Sequence, residues 1–323
     1  MPSDVAVIIV NYRTADMSVA AVDSVLERPS DGLKVEVHLV DNASPGDDRA
    51  VFLAAAGRWG DAVTLHLEDV NHGFGRGNNI VLQKLAARAE RPGKAYLLNP
   101  DARLVTNTVA ELAAFLDEHP RAAVAGSAIV GEDGEPASCA FRFPGLLSEF
   151  EAAVAFGPVS RLLADRIVAY PEVIPTQQVD WVSGASMMMR LDAVAEAGFF
   201  DPDFFLYYEE VDLMRRLRRR GWEVWHVSTA RVLHVAGAST GIDANEVRRP
   251  PLPAYWYESW RMYFVKQHGR TGARLVALSR WTGTLLGNAI SGLRRRPPPA
   301  PRNFASDFLR RVIVPLFSGK AGA

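Results

Sequence analysis

One cysteine, Cys139, stands in 323 residues. A single thiol excludes an intrachain disulfide and any zinc site built from cysteines, and it fits a reducing compartment. No basic stretch precedes the first apolar run. That run, Val5 to Val10, is too short for a secretory signal or a membrane span, so the expectation is a domain that folds in the cytoplasm. There is no internal repeat. There is also no excess of either charge, because the net value of −1 names no partner. The distribution is less even: from Lys266 onward there are eleven Lys/Arg against one acidic residue, Asp307, which leaves a net −11 on the first 265 residues. Such asymmetry points to a basic tail that meets something anionic. An acidic body, and a tail without a recognised motif, argue against a nucleic-acid binder.

What is present is apolar and regularly punctuated. With 48% hydrophobic residues the chain can build one large α/β domain, or one domain and an appendage. Val5 to Val10 is a β-branched run of the kind buried on both faces of a parallel sheet. Further strands are expected at Val35 to Val40, Val63 to Leu67, Ala95 to Leu98 and Ala122 to Ile129. Helices are expected at Met17 to Leu26, Ile80 to Glu90 and Val109 to Glu118. This rhythm predicts a doubly wound, mainly parallel sheet. Residues 131–180 are less regular and suit a lid or acceptor loop. Beyond them come a Met-rich strand ending at Arg190, a helix over Tyr207 to Arg220, short strands at Val224 to Val227 and Ala230 to His234, and an aromatic helix from Tyr255 to His268. The expected organisation is a domain over 1–265, with a nucleotide-binding half (1–130) and an acceptor half (131–265), followed by a helical tail over 266–323.

Ligands of such sheets bind beyond the carboxyl ends of the strands, and polar residues collect there: Asn11, Tyr12, Asp41, Asn99 and Asp101. Asn99-Pro100-Asp101 can hold a divalent cation against a diphosphate, since magnesium and manganese prefer oxygen ligands and share substrate phosphates; read alone it is more often a simple turn. His234 follows a strand and gains interest beside Asp101, because manganese accepts imidazole. Glu209, Glu210 and Asp212 open a helix. Carboxylates suit a helix start electrostatically, but the aromatic run from Phe199 to Tyr208 would withhold solvent and raise their pKa values, as a general base requires. The glycine-rich segment Asn71 to Asn79 carries Gly75-Arg76-Gly77 but not GxGxxG, so it is no dinucleotide fingerprint; as a loop it would let backbone come close to a ligand. Trp181 to Ser186, with Gly184, can line a pocket, whereas Met187-Met188-Met189 reads as core.

Taken in order from Val7 to Thr240, the strings VIIVNYR, VDNAS, NHGFGRGNN, LLNPDA, VSGASMMMR, GFFDPDFFLYYEEVDLMRRLRRRGW and LHVAGAST resemble the family-2 glycosyltransferases of GT-A fold, in particular their rhamnosyltransferase-like branch. The resemblance implies an inverting, metal-dependent transfer of a sugar from a nucleotide-sugar donor. By it, Tyr12 packs on the nucleotide base, Asp41 accepts from the base imide, and Asn99 and Asp101 occupy the outer positions of an Asp-x-Asp motif. Asp101 and His234 would hold Mn2+ or Mg2+, Glu210 would be the base with Asp212 as second choice, and Arg76 would face the diphosphate. Glu209-Glu210 departs from the usual Glu-Asp pair. The branch suggests deoxythymidine diphosphate rhamnose as donor.

In the tail, Leu275, Leu278, Trp281, Leu285 and Ala289 recur at helical spacing among Arg270, Arg274, Arg280 and Arg294 to Arg296. A basic amphipathic helix reads as membrane-binding. It implies a peripheral enzyme at the inner face of the plasma membrane, acting on a polyprenyl-diphosphate-linked saccharide for the cell envelope. A helix packed on the catalytic domain is the alternative for the tail. A sugar-phosphate nucleotidyltransferase and a non-catalytic nucleotide-sugar-binding module are the alternatives for the whole.

Overall fold

The computed structural model describes residues 4–29, 31–235 and 250–318. In chain order the elements are β1 (Val5–Asn11), α1 (Ala15–Leu26), β2 (Val35–Asn42), α2 (Asp48–Trp59), β3 (Val63–Glu68), α3 (Gly73–Ala86), β4 (Lys94–Leu98), β5 (Ala102–Leu104), α4 (Thr108–Glu118), β6 (Ala122–Val130), β7 (Pro136–Ala137), β8 (Ala140–Phe141), α5 (Leu146–Val154) and α6 (Gly157–Leu162). They continue with β9 (Gln177–Val179), β10 (Trp181–Val182), β11 (Ser186–Arg190), α7 (Leu191–Glu196), α8 (Glu209–Arg219), β12 (Glu223–His234), α9 (Ala254–Leu293), α10 (Phe304–Phe308) and α11 (Val314–Phe317). Contacts divide them into two compact units. The first holds residues 4–141, 169–205 and 209–235, the second residues 142–168, 206–208 and 250–318.

In the first unit the central sheet runs β3-β2-β1-β4-β11-β6-β12-β5. β1, β2, β3 and β4 pair in parallel, while β11 enters antiparallel between β4 and β6. Alternation along β1 shows why this sequence makes such a sheet. Val5, Val7 and Ile9 point into one apolar layer, and Ala6 and Ile8 into the layer on the opposite face. Helices cover both faces, so both sets of side chains must be apolar, and the strand reads as an unbroken hydrophobic run. Met188 likewise joins one layer and Met187 and Met189 the other, all buried. The methionines are core, as expected.

Three local expectations are corrected. Between the strands expected at Val35 to Val40 and Val63 to Leu67, where no helix was expected, the chain forms a full helix, α2. Most of the glycine-rich stretch is no loop: α3 begins at Gly73 and contains Gly73, Gly75 and Gly77. Added Cβ atoms would meet Phe200 and Glu209 at Gly75, and Val10 at Gly77, so these glycines serve close packing against protein. Finally, the two short strands expected before His234 are one strand, β12, with an irregular register between Val227 and Arg231.

The second unit is helical and reaches further back in sequence than the expected tail. The expected boundary after residue 265 falls inside α9, whose regular helix breaks at Gly269 (φ 66°). The far half of α9 packs closely on α5: a Cβ at Gly283 would lie 2.9 Å from the Phe150 carbonyl oxygen, and one at Gly287 2.6 Å from that of Val154. The face that packs holds Ala273, Val276, Ala277, Gly283, Thr284 and Gly287. Leu275, Leu278, Leu285 and Ala289, read in sequence as the apolar stripe, are exposed instead. Lys320, counted with the basic tail, lies outside the described residues. Among the described residues no helix is long and apolar enough to cross a membrane.

Candidate functional site

The sheet brings the predicted polar residues to strand ends in the first unit. β12 runs antiparallel to β5 with His234 opposite Ala102, which sets the strand's last residue beside Asp101. His234 Nε2 lies 3.2 Å from Asp101 Oδ1 and 3.2 Å from Asn99 Nδ2. The backbone repeats the link, since Val235 N donates to the Asp101 carbonyl at 3.0 Å. Asp101 is buried, and its Oδ1, although within ion-pair reach of the imidazole, has no aligned hydrogen-bond donor among the described residues. A buried carboxylate oxygen left without a donor is costly unless something cationic completes it. The remainder of the last matching string, residues 236–240, lies outside the described residues.

Asn11 is fully buried and its amide is committed internally. Nδ2 faces Asp41 Oδ1 (3.1 Å), Ser44 Oγ (3.0 Å) and Asp48 Oδ1 (2.8 Å), while Oδ1 accepts from Thr14 N, Thr14 Oγ1 and Ser18 Oγ. We therefore correct its expected role: Asn11 holds Asp41 and the β1–α1 turn in place and has no amide capacity left for a ligand. Tyr12 is half-buried, with the Arg13 guanidinium 5.1 Å from its ring centroid. Arg76 turns its Nε back to the His72 carbonyl at 2.8 Å. Gly184 sits so close to the Phe74 ring that a Cβ would come within 3.0 Å of it.

The acidic helix start differs residue by residue. Glu209 is buried and Glu210 half-buried, and the Oε2 atom of each is buried without a hydrogen-bond partner among the described residues. Burial pushes the Glu209 carboxyl well above the usual carboxylate range, and the neighbouring Glu210 charge pushes it further. Burial raises Glu210 as well. Asp212 is another matter. Its carboxylate takes the Nε of Arg216 at 2.7 Å, and Arg216 also donates to the carbonyls of Ala197 and Phe199. Arg216, held by Asp212, thus fastens α8 to the turn after α7, and the Asp212 carboxylate is engaged in that ion pair.

A family model described as "Glycosyl transferase family 2" matches residues 6–138. The N-acetylglucosaminyl-diphospho-decaprenol L-rhamnosyltransferase of Mycobacterium tuberculosis is 30% identical over 232 residues, which span 69% of this chain and 72% of that protein. The chain belongs to glycosyl transferase family 2. Among solved structures, GalNAc-T7 with UDP, GalNAc and Mn2+ superposes with a TM-score of 0.59 at 14% identity, covering 98% of this chain and 58% of that one. The mannosyltransferase PcManGT from Pyrobaculum calidifontis, in complex with GDP-Man and Mn2+, gives 0.53 at 14%, covering 99% and 89%. At that identity the likeness establishes the GT-A fold. Membership in a glycosyltransferase family sets aside both the nucleotidyltransferase and the non-catalytic alternatives.

Sequence reasoning assigned no role to several residues that organise this family-2 site. Asn42 donates to Asn71 Oδ1 (3.1 Å) and the Gly73 carbonyl (3.0 Å) and accepts from His72 N (2.9 Å), tying β2 to the start of α3. Asn79 clamps Phe200 through both backbone atoms, at 2.8 and 3.1 Å. Asp48 anchors Asn11 from α2. The signal available was the density of asparagine in VDNAS and NHGFGRGNN, a residue type whose amide can bridge two backbone segments.

Proposed function

We propose that this glycosyltransferase is inverting, that Glu210 is its base, and that Asp101 and His234 form the cation-holding end of a nucleotide-sugar site. The observation that carries the reading is the buried Asp101 Oδ1, without a donor and 3.2 Å from His234 Nε2. A carboxylate and an imidazole fit manganese better than magnesium, which prefers oxygen throughout. No group of three His, Cys, Asp or Glu that could hold a metal occurs among the described residues. The donor set fits a cation that draws its other ligands from substrate phosphates and water, with Asn99 alongside. When bound, such a cation supplies charge neutralisation to a departing nucleoside diphosphate.

The chain's own residues account for the rest. Tyr12 offers a ring to the base. Asp41, held by Asn11, offers an acceptor for a base N–H. Glu210 takes the proton of the acceptor hydroxyl while that oxygen bonds to the anomeric carbon and the bond to the nucleoside diphosphate breaks, so configuration inverts at the single displacement. Glu210 is preferred over Glu209 because it is the more exposed of the two, and its burial-raised pKa makes it a stronger proton acceptor near neutral pH.

By likeness to the mycobacterial relative, we propose an L-rhamnosyl donor and a polyprenyl-diphosphate-linked saccharide acceptor in cell-envelope synthesis. The acceptor would be reached at the cytoplasmic face of the membrane through the basic second unit. The test of the chemistry is Glu210→Gln. The change should lower kcat by about 10²–10⁴-fold, the usual worth of general-base help, with nucleoside diphosphate affinity unchanged. Full turnover by this variant would remove Glu210 as base.

A further inference from the structure

The second unit carries a cavity that the transfer chemistry leaves unused. It measures about 600 Å³ and is lined by Phe156, Pro158 and Arg161 from around α6, and by Leu293, Arg294 and Arg296 from the end of α9. Two chemistries meet there. Arg161 keeps its Nε on its own helix, 3.4 Å from the Gly157 carbonyl, and the Arg294 guanidinium lies 5.5 Å from the Phe156 ring centroid. None of the three arginines is ion-paired with a carboxylate among the described residues. Leu293, which lines the cavity, is 87% exposed, and Leu162, which follows Arg161 in α6, is 84% exposed.

Three guanidinium groups without a counter-charge around one cleft suit a multivalent anion, and planar guanidinium forks match phosphate oxygens. A free phosphate would satisfy only that half of the site and would leave the leucines in water. A lipid with a phosphate head satisfies both halves, because exposed apolar side chains flanked by basic ones mark an interfacial binding surface. We propose that this cavity binds the phosphate monoester or diphosphate head of a membrane lipid, with Leu162 and Leu293 entering the hydrocarbon. The proposal rests on the reading that the enzyme serves a membrane-held acceptor, and it adds the residues that hold the enzyme there.

The test is flotation of the full chain with three kinds of vesicle: phosphatidylcholine alone, phosphatidylcholine with polyprenyl monophosphate, and phosphatidylcholine with phosphatidylglycerol at matched surface charge. Binding should be tightest to polyprenyl monophosphate. Replacing Arg161, Arg294 and Arg296 together by Ala should weaken it roughly 100-fold, on the usual contribution of a basic residue near anionic lipid. Leu162→Ser with Leu293→Ser should weaken it too, and inorganic pyrophosphate should compete poorly. All five side chains are on the surface, and unchanged thermal unfolding of the variants verifies folding. Equal binding to both anionic vesicles, wild-type binding by the arginine variant, or full release by pyrophosphate would each overturn the site. Calorimetry with thymidine diphosphate and Mn2+ on the same protein separates this from the catalytic reading. Nucleotide binding without vesicle binding defeats the lipid site alone. Vesicle binding without nucleotide binding defeats the catalytic reading alone.

Discussion

Glu209 and Glu210 stand side by side and differ in burial. Glu209 has 2% of its surface exposed, and desolvation holds its proton to unusually high pH. For a carboxyl whose folded pKa is raised, stability is fully present below the unfolded pKa, near 4.3, and is lost as pH climbs through the folded value. Glu209→Gln cannot ionise. It should therefore unfold at the same temperature as wild type at pH 4 and at a higher temperature at pH 8, a comparison that calorimetric melting makes directly. A melting gain of equal size at both pH values would mean that ionisation of Glu209 has no part in it. The two residues before this pair, Tyr207 and Tyr208, both take φ of 70°, a region that costs a bulky side chain on the order of 1–3 kcal/mol. Their rings are held within the second unit, Tyr207 on Tyr255 and Tyr208 on Tyr263. Sequence showed an aromatic approach to the acidic pair, and the raised Glu209 and Glu210 carboxyls agree with it. It could not show that Asp212 is claimed by Arg216, because an i,i+4 pair on a helix reads the same whether it is solvated or buried.

At the scale of elements, α3 is the most informative. Its first residue, Gly73, has φ of 76°, and a Cβ there would lie 1.8 Å from the Phe205 carbonyl oxygen, the atom that accepts from Phe74 N. Gly73→Ala meets both an unfavourable backbone region and a fixed carbonyl, so it should destabilise by more than about 2 kcal/mol, read as a drop in the denaturation midpoint at constant slope. Gly57→Ala, with nothing near and helical backbone, is the control and should stabilise by about 0.4–1 kcal/mol. The strands of the sheet were legible because a strand buried on both faces has only apolar residues to show. The start of α3 was not legible, because Gly-x-Gly-x-Gly lowers helix propensity while helping the helix to pack. α2 was missed for a similar reason: only Phe52, Ala55 and Trp59 of its twelve residues are buried, so its pattern is mostly that of a solvated segment. The stripe of α9 was seen but assigned to a face without regard to what covers it. Small residues, Gly283 and Gly287, make the packed face, and the leucines face outward.

The whole molecule combines a GT-A unit, whose strand ends gather Asp41, Asn99, Asp101 and His234, with a helical unit that is basic and apolar at its surface. The order of the matched strings and the polar strand ends made the family readable from sequence. The closeness of Asp101 to His234 was not readable as geometry, because 132 residues lie between the two and the pairing of β12 with β5 brings them together. The central claim is that this junction holds the cation that lets the enzyme keep a nucleotide. It is tested most directly by titrating thymidine diphosphate and uridine diphosphate into wild type, Asp101→Ala and Glu210→Gln by calorimetry, with and without Mn2+. The account predicts that wild type and Glu210→Gln bind one of the nucleotides with equal affinity and only when Mn2+ is present, and that Asp101→Ala shows no cation-dependent binding. Undiminished, Mn2+-dependent binding by Asp101→Ala would contradict it.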